Sequence, residues 1–272
     1  MDAVRNTAEA WLAAGQGAVL VEVSDARGSV PREAGTRMLV AADAVSGTIG
    51  GGHLEWQAIA RAREMLASNA PPQSIHYPLG PSLGQCCGGA VTLSFERLQA
   101  THLAEWPREP ARFHLQLYGA GHVGRAIARL LATLPVQVDW IDERDDAFPP
   151  TVHEGPWPAH VRPLAVDAVE GEVRHAPSGA FYLVLTHQHE LDLRITEAIL
   201  RRNDFAFFGL IGSKTKKQRF IHRLEERGVP HAAIDRMVCP IGLPGVAGKE
   251  PELIAVAVVA QLLRESSGRW AR

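Results

Sequence analysis

The sequence predicts an α/β protein with an N-terminal α+β domain and a C-terminal domain built on a parallel sheet. In the first hundred residues, two helical patterns and four strand-like segments are separated by three glycine-rich loops. From residue 112 onward, continuous apolar runs alternate with helical patterns, which is typical of a parallel sheet covered on both faces. We therefore predict an N-terminal domain over 1–100, a linker over 101–111 and a C-terminal domain over 112–272.

Hydrophobic periodicity justifies each element. Val4, Ala8 and Leu12 recur at helical spacing, and Gly15 ends that first helix. In the N-terminal domain we predict strands at Ala18–Val23, Arg37–Ala41, Ser74–Tyr77 and Ala90–Phe95, and a second helix at His53–Ala67. In the C-terminal domain we predict strands at Phe113–Tyr118, Val136–Ile141, Phe181–Leu185 and Phe205–Ile211, and helices at Val123–Leu134, Asp192–Arg202, Lys216–Arg227 and from Pro251.

Composition excludes several classes of protein. Hydrophobic residues make up 46% and charged residues 21% of the chain, as in globular proteins. The net charge of -2 gives no electrostatic reason to expect binding to nucleic acid or to a membrane surface. No apolar run approaches the roughly 20 residues that span a bilayer, and the first residues lack a signal-peptide pattern. We expect a cytoplasmic protein whose three cysteines are thiols.

A glycine motif follows the first strand of the C-terminal domain. Gly119, Gly121 and Gly124 have GxGxxG spacing at the start of a helix, and Asp142 ends the next strand. In this context the glycines allow a tight turn, a bound pyrophosphate and close helix packing, while the acid binds a ribose hydroxyl. The motif predicts a Rossmann-like domain with a site for a nucleotide or NAD(P).

Two further loops of this domain follow strands. His187 and His189, with Asp192 nearby, could bind a metal, and the string partly resembles the HxHxDH motif of metallo-β-lactamases. It departs from that motif after the second histidine, and an ordinary helix cap by Asp192 is the alternative. The other loop, with Gly212, Ser213 and Lys214, offers amides, a hydroxyl and an ammonium group to an anion, unless it is a solvated helix cap.

The glycine-rich loops of the N-terminal domain predict a binding site. Gly50, Gly51 and Gly52 precede a helix that carries Glu55, and three consecutive glycines indicate close approach of a ligand or of another backbone. Arg32, in the preceding loop, would contribute charge.

Cys86 and Cys87 lie in the third glycine-rich loop. One of them could act as a metal ligand, sulfur carrier or redox thiol; the alternative is that both are small buried side chains.

These motifs together resemble a known family. The strings GSVPREAG, GTIGGGHLE, LGQCCGG, LYGAGHVG, THQHELD, FGLIGSKTK and CPIGLPGVAGKEPELIA are similar to those of the XdhC/CoxI family of accessory proteins for molybdenum hydroxylases such as xanthine dehydrogenase. The likeness covers nearly the whole chain, and His53 after the glycine triplet resembles the XdhC branch. The chain departs from the family at Glu250, where a threonine is usual, and in the charged Glu-Arg-Asp-Asp segment after Asp142.

The resemblance implies a protein that binds the molybdenum cofactor (molybdopterin), protects it from oxidation and permits its sulfuration by a cysteine desulfurase. The protein would then deliver the cofactor to a xanthine dehydrogenase-type apo-enzyme. In this account Cys86 or Cys87 contacts molybdenum or its sulfur, and the glycine loops with Lys214 hold the phosphate or nucleotide of the cofactor. Such a chain is a chaperone, and no residue is assigned as catalytic.

Two other functions stay open from the sequence. An NAD(P)-dependent oxidoreductase with an N-terminal substrate domain would need a general acid such as His187 or His189 beside the nicotinamide. A metal-dependent hydrolase would bind zinc at the same two histidines. The sequence also leaves open whether the chain forms a homodimer.

Overall fold

The computed structural model describes residues 3–79, 88–106, 110–152 and 155–270. The chain divides into two compact units, Asp2–Glu109 and Pro110–Arg272. Within the described ranges, no helix is both long and apolar enough to cross a membrane.

The N-terminal unit is a five-stranded antiparallel sheet with helices on both faces. Its elements in chain order are α1 (Ala3–Ala13), β1 (Ala18–Arg27), β2 (Arg37–Ala41), β3 (Val45–Gly47), α2 (Gly52–Ser68), β4 (Gln73–Pro78), β5 (Ala90–Arg97) and α3 (Ala100–Glu105). The strand order is β3-β2-β1-β5-β4. Because side chains alternate along a strand, Val19 and Val21 of β1 pack with α2, whereas Ala18 and Leu20 pack with α1 on the opposite face.

Two elements of this unit have no clear signal in the sequence. The strand β3 has only three residues, too few to show an alternating pattern. The helix α3 lies inside the segment predicted as a linker and has six residues. A contact from α1 stabilises this helix, because the Arg5 guanidinium donates to the carbonyl oxygen of Leu103 at 2.6 Å and to that of Trp106.

The C-terminal unit is a six-stranded parallel sheet, which confirms the predicted Rossmann-like α/β fold. Its elements are β6 (His114–Tyr118), α4 (His122–Leu131), β7 (Gln137–Asp142), β8 (Val161–Ala165), β9 (Phe181–Val184), α5 (His189–Arg202), β10 (Phe207–Leu210), α6 (Lys214–Glu226), α7 (His231–Ile234), β11 (Met237–Val238) and α8 (Pro251–Trp270). Helices α4 and α8 pack on one face of the sheet, and α5 and α6 pack on the other.

The strand order of this sheet creates a crevice. The strand order is β11-β10-β9-β6-β7-β8. The strands β7 and β8 lie on one side of β6, and β9, β10 and β11 lie on its other side. At such a switch point, loops diverge at the carboxyl ends of the strands and leave room for a ligand. The sequence did not predict β8, an edge strand that contains Pro163, or β11, which has two residues.

Candidate functional site

A cavity of about 430 Å³ opens at the carboxyl ends of the central parallel strands. It is bounded by the loop from β6 into α4, by Arg144 after β7, by Leu185, Thr186 and His187 after β9, and by Ile211 after β10. The first amides of a helix have no intrahelical acceptor, and those of α4 line this cavity. The arrangement can therefore hold an anionic group.

The three motif glycines have different roles. A Cβ on Gly119 would clash with the Leu185 carbonyl oxygen, and one on Gly124 would overlap the carbonyl oxygen of Gly119. A Cβ on Gly121 would meet no atom within 4 Å. Gly119 and Gly124 thus permit close packing, whereas Gly121 leaves open space at the cavity wall, as a bound pyrophosphate requires.

Asp142 holds the glycine loop in place. Its Oδ2 accepts the Ala120 amide at 2.7 Å and Arg144 Nη2 at 3.0 Å, while its Oδ1 accepts Arg144 Nε at 2.9 Å and the Arg144 amide at 3.1 Å. Burial raises the pKa of Asp142, but these hydrogen bonds and the Arg144 charge outweigh it and leave the pKa below its usual value. Asp142 is a buried anion, and all of its acceptor positions are used by the protein.

Arg144 forms the wall of the cavity beside β7. Its guanidinium is fixed by Asp142, and 41% of its side chain is exposed. The turn that follows is fixed as well, because Arg125 of α4 donates to the Ala147 carbonyl oxygen at 2.6 and 3.0 Å. The wall is therefore rigid and attached to α4, the helix that carries the open amides.

The two loop histidines do not share a site. His187 lines the 430 Å³ cavity and lies 3.6 Å from Glu143, whereas His189 lines a separate cavity of about 260 Å³ beside α6. Across the described residues, no three His, Cys, Asp or Glu side chains are grouped to hold a metal ion. Asp192 does not cap α5: the cap position is Gln188, and Asp192 lies inside the first turn.

The loop before α6 directs Lys216, and not Lys214, into the protein. Ser213 caps α6 by accepting the Lys216 amide at 3.2 Å, and Lys214 is exposed. Lys216 Nζ donates to Asp192 Oδ2 at 2.6 Å and to the Ile211 carbonyl oxygen at 2.9 Å. Gly212 leaves room for this lysine, because a Cβ there would lie 2.6 Å from Lys216 Cδ.

Asp192 is the fully buried partner of that lysine. Its Oδ1 accepts the Thr186 hydroxyl at 2.7 Å and the Thr186 amide at 3.0 Å. The pair therefore connects α5, α6 and the end of β9, and Lys216 lines the 260 Å³ cavity. Lys216 is the third residue after Ser213 and lies in the first turn of α6. The clustering of lysines in the sequence does not distinguish Lys216 from Lys214 in this role.

The glycine triplet of the N-terminal unit has a backbone conformation that favours glycine, and Glu55 holds the loop. Gly50, Gly51 and Gly52 have φ of 122°, 77° and 66°, a region that favours glycine. Glu55 Oε2 accepts the amides of Ile49 and Gly51, each at 3.1 Å, and the Thr48 hydroxyl. Glu55 thus supports the loop from α2, and the Gly51 position is open to a ligand.

The loop between β1 and β2 approaches both the glycine triplet and the start of β5. A Cβ on Gly50 would lie 2.6 Å from Pro31, and a Cβ on Gly89 would lie 2.5 Å from the carbonyl oxygens of Arg27 and Ser29. The backbones therefore approach one another closely. Arg32 is exposed next to this contact. Cys86 and Cys87 lie outside the described residues, which resume at residue 88, one residue before Gly89.

An exposed aromatic residue adjoins the glycine triplet. Trp56 is 66% exposed and stacks on His53, with ring centroids 5.6 Å apart, in the first turns of α2. The sequence gives no functional signal for Trp56, because an aromatic residue within a helical pattern indicates a core position. Its exposure beside the glycine triplet is the signal that only the structure provides.

Replacing Glu55 with leucine should lower the free energy of unfolding by about 1 to 3 kcal/mol, because three donors would lose their acceptor. Urea denaturation measures this change. Glu64→Leu is the matched control on the same helix, where the carboxylate makes only an exposed pair with Arg61. Equal stability losses in both variants would contradict a loop-supporting role for Glu55.

Family models match both units. The model described as the XdhC Rossmann domain matches residues 115–262, more than half of the chain, and the model described as the XdhC and CoxI family matches residues 11–78. The chain belongs to the XdhC and CoxI family. The resemblance inferred from the motifs is confirmed, and the glycine loops and the Rossmann cleft are features of an XdhC/CoxI chain.

Two relatives add detail. The Escherichia coli protein named uncharacterized protein YqeB is 30% identical in an alignment of 261 positions that covers 90% of this chain and 43% of the relative. The chain thus spans less than half the length of that protein. A crystal structure described as a xanthine dehydrogenase from Bacillus halodurans has a TM-score of 0.75 at 19% identity, covering 98% of this chain and 97% of the other. That similarity shows a shared fold.

Proposed function

We propose that this XdhC-family chain is an accessory protein of a xanthine dehydrogenase-type molybdenum hydroxylase, which binds the molybdenum cofactor, supports its sulfuration and delivers it to the apo-enzyme. The observation that carries the proposal is family membership, matched separately in the N-terminal and the C-terminal units. The Bacillus halodurans protein with the same fold is described as a xanthine dehydrogenase, which is consistent with the proposal.

The residues of the N-terminal unit fit such a cofactor. The glycine triplet, which the loop after β1 approaches at Gly50, provides an open backbone surface at Gly51, and Arg32 adds an exposed cation for a phosphate. Cys86 and Cys87, in the third loop, bring soft sulfur donors suited to molybdenum or to its sulfido ligand. When bound, the cofactor would supply the molybdenum centre whose oxo ligand a cysteine desulfurase exchanges for sulfido.

The cleft of the C-terminal unit fits an anionic nucleotide or phosphate group. Gly121 leaves the cavity wall open beside the amides of α4, and Lys216 stabilises the neighbouring loop without entering the 430 Å³ cavity. This cleft also favours the second candidate, an NAD(P)-dependent oxidoreductase in which His187 at the cavity wall would act as general acid. Hydride transfer to a carbonyl substrate would support that candidate over an accessory role.

Removing the cysteine pair should remove the cofactor. The full chain and its Cys86→Ala and Cys87→Ala variants are purified from a host that makes molybdopterin, and molybdenum and pterin are measured by mass spectrometry. We expect at least one variant to lose bound molybdenum about tenfold or more, since loss of a metal contact costs at least this much in affinity. The purified protein is also tested for activation of an apo-hydroxylase together with a cysteine desulfurase.

Cys239→Ala is the matched control. The Cys239 thiol is buried, and burial raises its pKa more than the neighbouring lysines lower it, so it is an unreactive third cysteine. This variant should retain cofactor at the parental level. Parental cofactor content and parental activation in both single variants and in the double variant would show that the cysteine pair has no role in cofactor binding.

A further inference from the structure

The first turns of α2 expose the indole ring of Trp56 beside the glycine triplet. The buried side of this helix carries Leu54, Ala58, Ala62 and Met65. Trp56 lies about half a turn around the helix from both Leu54 and Ala58, on the side that faces away from the core. Among the side chains that the structure describes, no other Phe, Tyr or Trp is exposed. Packing of the N-terminal unit therefore does not require this ring.

His53 and Gln57 orient the indole ring. Side chains of a helix lean toward its N-terminus, so Trp56 reaches back over the first turn, where it stacks on His53 with the ring planes 16° apart. Gln57 Nε2 lies 3.0 Å from His53 Nε2, and this contact orients the imidazole in turn. His53 thus partly covers one face of the indole, while the exposed remainder of Trp56 is available to a flat ring.

A surface suited to an anion lies next to the indole. Trp56 follows Gly51 by about 7.5 Å along the helix axis, and the lean of its side chain shortens this separation. A Cβ on Gly51 would meet no atom within 4 Å, so the backbone there is accessible. Arg32 lies beside the triplet, because a Cβ on Gly50 would be 3.7 Å from Arg32 Cγ. No carboxylate of the described residues pairs with the exposed Arg32 guanidinium. A flat ring and an anionic group can therefore bind side by side.

We infer that Trp56 is the stacking residue for the flat heterocycle of a pterin, and that Arg32 and the glycine triplet bind the phosphate that this pterin carries. The pyrimidine ring of a pterin is flat, and flat heterocycles stack on the face of an indole. The inference rests on the proposed function of the N-terminal unit. It assigns the organic part of the cofactor to residues other than Cys86 and Cys87.

Titration of the full chain with pterin-6-carboxylate tests the inference, because this fluorescent probe combines a pterin ring with one anionic group. In the parent, stacking on the indole should quench the fluorescence of the bound probe. We expect Trp56→Ala to weaken binding about tenfold or more, since it removes the stacking partner. Trp56→Phe keeps a flat ring, so it should bind the probe within about threefold of the parent while much of the quenching is lost.

Val256→Ala is the matched control, since Val256 is 52% exposed on α8 of the C-terminal unit. It should bind the probe with parental affinity. Thermal melting of Trp56→Ala should match that of the parent, because substitutions of exposed side chains change stability little. Weaker probe binding by Trp56→Ala would then not reflect unfolding.

Molybdenum and pterin contents separate this inference from the accessory function, when the parent and Trp56→Ala are purified from a host that makes molybdopterin. Trp56→Ala should retain less of both than the parent. Equal probe affinity in the two proteins, or no probe binding by the parent, would overturn the inference. Parental cofactor content in Trp56→Ala would also overturn it but would leave the accessory function intact. Trp56-dependent probe binding by a parent that acquires no molybdenum would support the inference and count against the accessory function.

Discussion

Gly124→Ala should destabilise the C-terminal unit by about 2 kcal/mol or more, although alanine is the better helix former. A Cβ at this position would overlap the backbone carbonyl oxygen of Gly119, and neither backbone can move without shifting β6 or α4. Overpacking of this kind costs about 1 to 3 kcal/mol or more, whereas the gain in helix propensity is at most about 1 kcal/mol. The clash therefore dominates, and thermal melting of the full chain should show it.

Gly121→Ala provides the comparison within the same motif. A Cβ there meets nothing within 4 Å, and the backbone angles of Gly121, φ of −72° and ψ of −172°, suit any residue. We expect a stability loss below about 1 kcal/mol, as for an ordinary change at a helix cap. Gly121→Val should also abolish NAD⁺ binding, because its side chain fills the space of the pyrophosphate. Equal losses of stability at Gly121 and Gly124 would contradict this division between a glycine that permits close packing and a glycine that leaves room for a ligand.

The sequence predicted the backbone of this site but not its side-chain contacts. GxGxxG spacing is a local signal, so the strand, the turn and the helix followed from it directly. The acid at Asp142 was located from the sequence as well, but its contacts depend on Arg144 and on the Ala120 amide, and the side-chain conformation of Arg144 is not encoded by spacing. Asp142 was therefore predicted as a ligand-binding residue, and the structure shows it supporting the loop.

Short elements escaped prediction for a related reason. Four elements are too short to show hydrophobic periodicity in the sequence: the strands β3 and β11 and the helices α3 and α7. They form because they pair with or pack against longer elements. The loop sites are similar: Glu55 is part of the motif, but only the fold shows that one of its oxygens accepts from the Thr48 hydroxyl and from the amides of Ile49 and Gly51. In each case a tertiary contact outweighs the local pattern.

Lys216→Ala should lower the stability of the C-terminal unit by about 3 to 5 kcal/mol, because it leaves the buried Asp192 carboxylate without its cation. With Lys216 in place the Asp192 side chain has no exposed surface, so the single variant removes the cation that pairs with a buried carboxylate. The two hydrogen bonds from Thr186 remain, but they satisfy only one of the two carboxylate oxygens. Urea denaturation of the full chain measures the loss.

Lys214→Ala is the matched control two residues away on the same helix. Lys214 is exposed at the first position of α6, where the helix dipole disfavours a cation by about 0.3 to 1 kcal/mol. Its removal should leave stability unchanged or slightly raised. Lys216→Ala/Asp192→Leu removes both charges and should recover part of the stability lost in Lys216→Ala, since the cost of the single change lies in the unpaired carboxylate. If Lys216→Ala instead has the same small effect as Lys214→Ala, the buried pair does not hold α5 and α6 together, and both lysines serve only as surface cations.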